Sequence, residues 1–566
     1  MKNRNPIARF HLESALTIAM LLVLAACGSP TGPTPPALPG TPQGLNITTD
    51  GDGNSTLSWS SVSEADSYKV YHSSDGIAAY SEVSTTTGIS YLLPFYGWYE
   101  VSAVNEAGEG AKSAGVERVE PATPNGPVAT PTFTVPAGTF DEAQSVEIVC
   151  ATGGSTIYYT TDGSTPIVGT SSIYATAIAV DPGDTTTITA VAAAADYSNS
   201  DAAVGTYHVR TWEVVGTAGF SGGEVSYLSM AINSYGTPYV AYRDEISQKA
   251  IVKYYTGTAW MTLGGAEVSS GPAFYISMAI DSANSVYVAY YDNDADRAGK
   301  ATVRKYSFGG SLWTTIGGEG FTAGPALYIS IAIDNAGTPY LAFLDGSDPL
   351  TRANVLYYNA GSWQSLAATR PSPGLISGAS LVIAHDGRPY LAYIDGESGD
   401  KASASVFSGG DWSGIGGTSI SSGSVGSISL ALDHDGTPFV AYKDNGATAS
   451  GKASLRTFNG SAWEFVGSEG FTPSTADFTA VRVDPGDSDS STDDIVYMVF
   501  KDNQASATGK PSLMRFISSE WTYVGTPGIG VGLVLNGLDL AITGGSPYVA
   551  FGDGSCSGKV TVMVYR

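Results

Sequence analysis

The chain has 566 residues, more than one ordinary core accommodates, so three or more domains are expected. Hydrophobic residues make up 43% and charged residues 14%, a folded composition rather than a disordered one. The net charge of −26 argues against nucleic acid, whose phosphates require Lys and Arg.

In chain order, Lys2, Arg4 and Arg9 precede an apolar run over residues 15–26. That run is too short to span a hydrocarbon core of ~30 Å but suits the apolar region of a signal peptide. It ends in LAAC (24–27), which resembles the lipobox of bacterial lipoproteins. The resemblance implies that residues 1–26 are removed and that Cys27 is acylated, anchoring the protein to a membrane outside the cytoplasm. Gly28 after the cysteine is similar to Gram-negative lipoproteins sent to the outer membrane or cell surface. Residues 27–43 form a Pro-rich tether, expected to be a semi-rigid extended spacer because proline fixes φ and removes donors.

Residues 44–121 alternate in short strands, including STLSWSSV, DSYKVYHS and WYEVSAVNEAGEG. They resemble a fibronectin type III domain, with Trp59 and Tyr68 in core positions and Tyr99 as the tyrosine that ties a corner loop. DGDGN (50–54) alternates oxygens like a calcium loop but lacks the distal glutamate, and falls where a hairpin must turn. A linker follows over 121–130. Residues 127–209 contain IYYTTDGSTP (157–166), which closely resembles the small β-sandwich appended to chitobiases and hexosaminidases. That module is an accessory in its family, and no catalytic barrel follows, so no hydrolase activity is implied. Thr161, Asp162 and Gly163 are expected to form a turn, with Asp162 accepting backbone N–H bonds.

Residues 210–566 are a repeat. Tryptophans recur at 212, 260, 313, 363, 412, 463 and 521, each opening a short strand. Seven segments such as YVAYRD (239–244) and FVAYKD (439–444) end in aspartate. Four short strands per ~50 residues match a propeller blade. The repeat opens on a lone tryptophan strand (211–215) and ends after a third strand (560–566), so the two ends should pair and close the ring. The fold class is therefore all-β: two β-sandwich domains and a seven-bladed β-propeller closed by its N-terminal strand. Its inner strands are expected to be poor in Gly and Ser.

The strand-ending aspartates and the bases that follow are Asp244/Lys249, Asp292/Lys300, Asp345/Arg352, Asp395/Lys401, Asp444/Lys452, Asp502/Lys510 and Asp553/Lys559. A catalytic group is needed once and a scaffold contact seven times, so these are read as hairpin ion pairs or turn caps. The same logic assigns Tyr239, Tyr287, Tyr340, Tyr390 and Tyr548 to interblade packing. What varies is the loop entering the first strand: Tyr227 in blade 1, Phe274 and Tyr275 in blade 2, and Tyr328 in blade 3. Blades 4, 5 and 7 place Ser377–Gly378, Val425–Gly426 and Asn536–Gly537 there. These side chains either pack the loops under the rim or form an aromatic patch beside the central channel, suited to stacking on sugar rings or docking a peptide.

No catalytic constellation, metal site or cofactor is expected. Cys27, Cys150 and Cys556 have no ligand spacing, Cys150 reads as a small core residue, and the five histidines are scattered. DNDAD (292–296) and the acidic run 484–494 offer calcium-type oxygens but read as solvated loops. GSCSG (554–558) is superficially a nucleophile elbow without its helix or histidine, and His385 and His434 fall in turns. The Asp-box of sialidases does not occur in the repeats. The expected function is an envelope lipoprotein whose propeller presents a surface to a glycan or protein. The alternatives are a glycan-active hydrolase or lyase, which would need paired carboxylates at the channel mouth, and a purely structural or adhesive role.

Overall fold

The computed structural model describes residues 35–50, 54–120, 126–310, 312–417, 419–484 and 494–566. Cys27 and the signal peptide lie outside them, as do residues 51–53 and 485–493 of the acidic runs. The described residues contain strands and short 3-10 turns but no α-helix, and none of their helices is long and apolar enough to cross a membrane. The chain divides into two compact units, Met1–Asn125 and Gly126–Arg566.

The first unit is a sandwich. One sheet is Asn46–Thr49, Ser55–Ser58 and Ser90–Leu92; the other centres on Ser67–Ser73 and Gly97–Asn105. Period-2 alternation buries Leu57, Val70, Tyr99 and Val101 between them, with Trp59 and Tyr68 in edge contact at 5.5 Å. The Tyr99 hydroxyl donates to the Phe95 carbonyl at 2.7 Å and accepts the Phe95 N–H at 3.1 Å, tying the corner as expected. The first two strands form a hairpin in which the Asn54 N–H donates to Asp50 Oδ1. The described end of the Pro-rich segment does not stand away: Pro39 is buried, and Asn105 Nδ2 donates to the Ala37 carbonyl at 2.9 Å.

The second unit opens with another sandwich. Its five-stranded sheet runs Gly138–Phe140, Ala203–Val209, Thr185–Ala193, Thr156–Thr160, Ser172–Ile173, packed against two strand pairs through Val146, Ile148, Val180, Ile188 and Tyr207. The Ser164 N–H and hydroxyl both donate to Asp162 Oδ1, the expected turn. Cys150 departs from expectation: it is half-buried, and its thiol donates to the Ala129 carbonyl. The strand Ile148–Val149 ends just before it, where the chain leaves the core.

The remaining seven sheets have four antiparallel strands each. Their innermost strands are Val225–Ile232, Ala273–Ile280, Ala326–Ile333, Ile376–Ile383, Val425–Leu432, Ala476–Asp484 and Val534–Thr543, for blades 1 to 7. Each touches the innermost strand of both neighbours, and the seventh touches the first. Trp212–Val214 pairs antiparallel with Lys559–Tyr565, Trp212 opposite Tyr565, so the N-terminal strand completes blade 7.

Interblade contacts repeat. Six of the seven strand-opening tryptophans, all but Trp412, donate their indole N–H to a carbonyl of the preceding blade at 2.7–3.1 Å. Tyr239 and Tyr287 are buried against the following blade's strands, as expected. Asp141 of the second sandwich meets Arg210 at 2.7 Å and Arg515 of blade 6 at 2.6 Å, while the Tyr565 hydroxyl donates to its carbonyl. This holds the module on the propeller.

The seven aspartates are turn caps, not ion pairs with the bases that follow them. Each is buried, and its Oδ1 accepts a backbone N–H from the hairpin, as Asp395 does from Glu397 and Asp553 from Ser555. The other oxygen takes a hydroxyl or amide of the third strand in several blades, as with Thr302, Ser454 and Thr561. Among the described residues none meets its expected base: Lys249 pairs with Glu267, Arg352 with Asp348, and Asp345 with Arg370. The ammonium of such a lysine turns to other groups, as Lys510 does to the Gly530 carbonyl, because burial beside a carboxylate already satisfied by amides costs more.

Candidate functional site

The innermost strands carry a β-bulge at the same place in every blade. The extra residue breaks the ladder and re-aims a side chain. In blades 1, 2 and 3 that residue is Tyr227, Tyr275 and Tyr328, with φ of 50°, 48° and 54°. A bulky residue in this left-handed region is strained by about 1–3 kcal/mol. The expected aromatic residues therefore sit inside strands rather than in the loops before them.

The structure brings all four together. Ring centroids are 5.3 Å apart for Tyr227–Tyr275, 5.2 Å for Tyr275–Tyr328 and 5.9 Å for Tyr227–Phe274. Tyr291, at the end of blade 2's second strand, extends the row at 5.7 Å from Phe274, and the Arg243 guanidinium lies 4.2 Å over the Phe274 ring. The rings are half-buried, packed on one another and on the blade cores. Burial pushes the Tyr227 and Tyr275 hydroxyls above the ordinary tyrosine range, so both stay neutral at physiological pH. Among the described residues no side chain or backbone group hydrogen-bonds the hydroxyls of Tyr227, Tyr275 or Tyr328.

Blade 6 holds a further member of this position. Phe478 has φ 52° at its bulge and is 40% exposed, with the Lys501 ammonium 6.0 Å over its ring. In blade 7 the position falls to Gly537.

Next to the bulge lies a serine ring that lines the central channel, a cavity of about 570 Å³. The hydroxyls of Ser229, Ser277, Ser330, Ser380 and Ser429 each accept a backbone N–H from the next blade, at 3.0–3.2 Å. The inner strands are thus not poor in serine; an alanine opposite each one in the second strand leaves it room. Blade 7 carries Asp539 instead. Its Oδ2 accepts the Met230 N–H, closing the ring onto blade 1, and its Oδ1 accepts Arg482 at 2.9 Å and the Leu540 N–H. Blade 6 has Ala480 at this point, so Leu540 turns to its own neighbour. Asp539 is the one carboxylate among the described channel-lining residues, and it is paired. Paired carboxylates for glycoside cleavage are therefore not assembled there.

The other candidates are placed as follows. Asp294 and Asp296 lie beside Arg297, and no group of three or more acidic, His or Cys side chains fit to hold a metal occurs among the described residues. Cys556 is a half-buried free thiol in a 3-10 turn capped by Asp553. His385 sits in a turn against Asn335 of the preceding blade, and the His434 N–H donates to Asp494 of the following one.

Residues 135–205 match the family described as chitobiase/β-hexosaminidase C-terminal domain. No curated protein matches the chain. Among solved structures it is similar to a mutant Aleuria aurantia lectin in complex with Fucα1-6GlcNAc, at 14% identity over 56% of this chain and 99% of that one, TM-score 0.37. It is also similar to polysaccharide lyase Uly1, at 10% identity over 61% and 90%, TM-score 0.40. A third is the Penicillium chrysogenum α-L-arabinanase complexed with arabinobiose, at 14% identity over 52% and 92%, TM-score 0.34. The class defined by fold is an all-β chain with a seven-bladed propeller closed by its own ends.

Proposed function

We propose that this protein is an envelope-anchored binding protein whose propeller recognises a glycan on the face that carries the tyrosine row. Cys27 supplies the lipid anchor, residues 44–121 form a fibronectin type III-like spacer, and the chitobiase-like module joins that spacer to the propeller. The observation that carries the reading is the row itself. Three consecutive blades hold a tyrosine in a strained backbone conformation at one bulge, and the phenol groups find no hydrogen-bond partner among the described residues. A scaffold need common to all seven blades would not confine tyrosine to three of them. A saccharide meets both features, stacking its C–H face on the rings while its hydroxyls satisfy the phenols.

The test is a glycan array probed with the full chain and with its Tyr275→Ala variant. Binding by the wild type that falls ~10-fold or more in the variant, about 1.4 kcal/mol, is expected. No glycan bound by the wild type, or equal binding of every glycan by both proteins, contradicts the reading.

A further inference from the structure

A second cavity of the propeller, larger than the central channel, lies elsewhere. On the face formed by the turns between first and second and between third and fourth strands, a groove of about 880 Å³ runs beneath blade 1 from blade 7 to blade 2. Tyr235, Tyr254, Tyr255, Phe308, Tyr548 and Asn284 line it. This volume falls in the upper part of the ~300–1,000 Å³ range of small-ligand sites. We propose that this groove is a second recognition site, taking a neutral oligosaccharide. It does not rest on the tyrosine row, which lies on the opposite face.

The first argument is departure from the repeat. The third residue of the first-to-second-strand turn is Ala283, Ala336, Asp386 or Asp435 in blades 2 to 5, and only in blade 1 is it a large ring, Tyr235. That ring is 82% exposed on a turn fixed by Asn233 Oδ1, which accepts the Tyr235 and Thr237 N–H groups. The third-to-fourth-strand turn also departs. The ring that precedes the turn stands five positions before its tryptophan at 255/260, 358/363, 407/412, 458/463 and 516/521, but seven positions before it at 306/313 in blade 2. Phe308 stands in that extension, 47% exposed, in edge contact with Tyr306 at 5.3 Å. Both departures converge on one groove. Two large rings stand exposed at positions where the other blades carry none, a departure that marks a surface for an occupant.

The second argument is the polar inventory. Asn284 Oδ1 accepts the Ser234 N–H and hydroxyl, which fixes the amide, while its Nδ2 has no partner among the described residues. The hydroxyls of Tyr254, Tyr255 and Tyr548 are likewise unpartnered among them. Donors and acceptors set between exposed ring faces match a chain of pyranose rings, whose hydroxyls ring an apolar face. Charge selects the neutral class. The one cationic side chain in the lining, Arg566, is 2.8 Å from Glu213, and a chain of net charge −26 repels a polyanion.

The test titrates the full chain with neutral hexasaccharides (malto-, cello-, xylo-, manno-, laminari- and chitohexaose) by calorimetry and saturation-transfer NMR. Tyr235→Ala, Phe308→Ala and Tyr275→Ala variants are compared, with thermal unfolding checked for each. At least one hexasaccharide is expected to bind Tyr275→Ala as well as wild type and to lose ~10-fold or more with Tyr235→Ala and with Phe308→Ala. No hexasaccharide bound by Tyr275→Ala at ~10 mM, or affinity unchanged in both groove variants, overturns the groove site. Loss in Tyr275→Ala alone also overturns it while sustaining the tyrosine row, so the two sites fail separately.

Discussion

At the scale of single residues, each contact in the repeat changes together with its partner. The glycine four positions after a blade's tryptophan adopts positive φ beneath the next blade's indole, as Gly216, Gly264, Gly317, Gly416, Gly467 and Gly525 do. Blade 3 has Ala367 there, and Trp412, which would sit above it, is the tryptophan whose indole makes no interblade bond among the described residues. Likewise, the N–H of the residue that follows the base at the head of the third strand donates to a Ser or Thr hydroxyl, as Ala250 does to Ser269 and Ala301 to Thr322. Where Pro511 removes that N–H, Gly530 stands in place of the hydroxyl. A Gly317→Ala substitution adds left-handed strain and a collision with Trp363, so it should cost about 1–3 kcal/mol in urea unfolding. Ala367→Gly, with no indole bonded above it, should cost under ~1 kcal/mol. A second prediction concerns acid. The Arg352 guanidinium, 2.9 Å away, holds Asp348 below the usual carboxylate range, helped by the Leu350 N–H. A depressed carboxyl stabilises the fold above its unfolded pKa of ~3.9, and that stability is lost as pH falls through the folded value. The urea midpoint should therefore drop less between pH 6 and pH 3, roughly, in Asp348→Asn than in wild type; equal drops would show that the pair contributes nothing.

At the scale of elements, what was legible in the sequence was what repeats along it. Tryptophan spacing, strand-ending aspartates and the orphan strand at 211–215 suffice for seven blades and their closure, because each blade must bury the same two faces. The serine ring was not legible. A serine in an inner strand reads as a surface position until the circle places its hydroxyl over the neighbour's amide. Phe478 escaped because DFTA in blade 6 shares no side chain with YIS in blade 2, although both occupy one bulge. The groove was hidden for a different reason: its rings come from residues 235, 254, 308 and 548, which only the closed ring assembles. At the closing seam Asp539 gathers the Met230 and Leu540 N–H groups and Arg482. Asp539→Ala should leave those donors without a partner and cost about 2–4 kcal/mol, more than Ser277→Ala, which orphans one amide. Equal losses in chemical unfolding would place Asp539 on a par with any other member of the ring.

At the scale of the propeller and its docked sandwich, the geometry separates holding from recognising. Asp141 binds the sandwich to blades 6 and 7 through Arg515 and Tyr565, away from the tyrosine row of blades 1 to 3. The turn-capping aspartates and indole bonds recur around the ring, and the tyrosines do not. Recognition is thus expected where the repeat is broken, on a scaffold whose stiffness comes from where it is kept. Hydrogen exchange of the full chain, with and without the saccharide that binds most tightly on the array, tests this most directly. Protection is expected at the amides of 225–230, 273–278 and 326–331, the three tyrosine-bearing bulges. Protection confined to residues 35–120, or no change anywhere in the propeller, would contradict it.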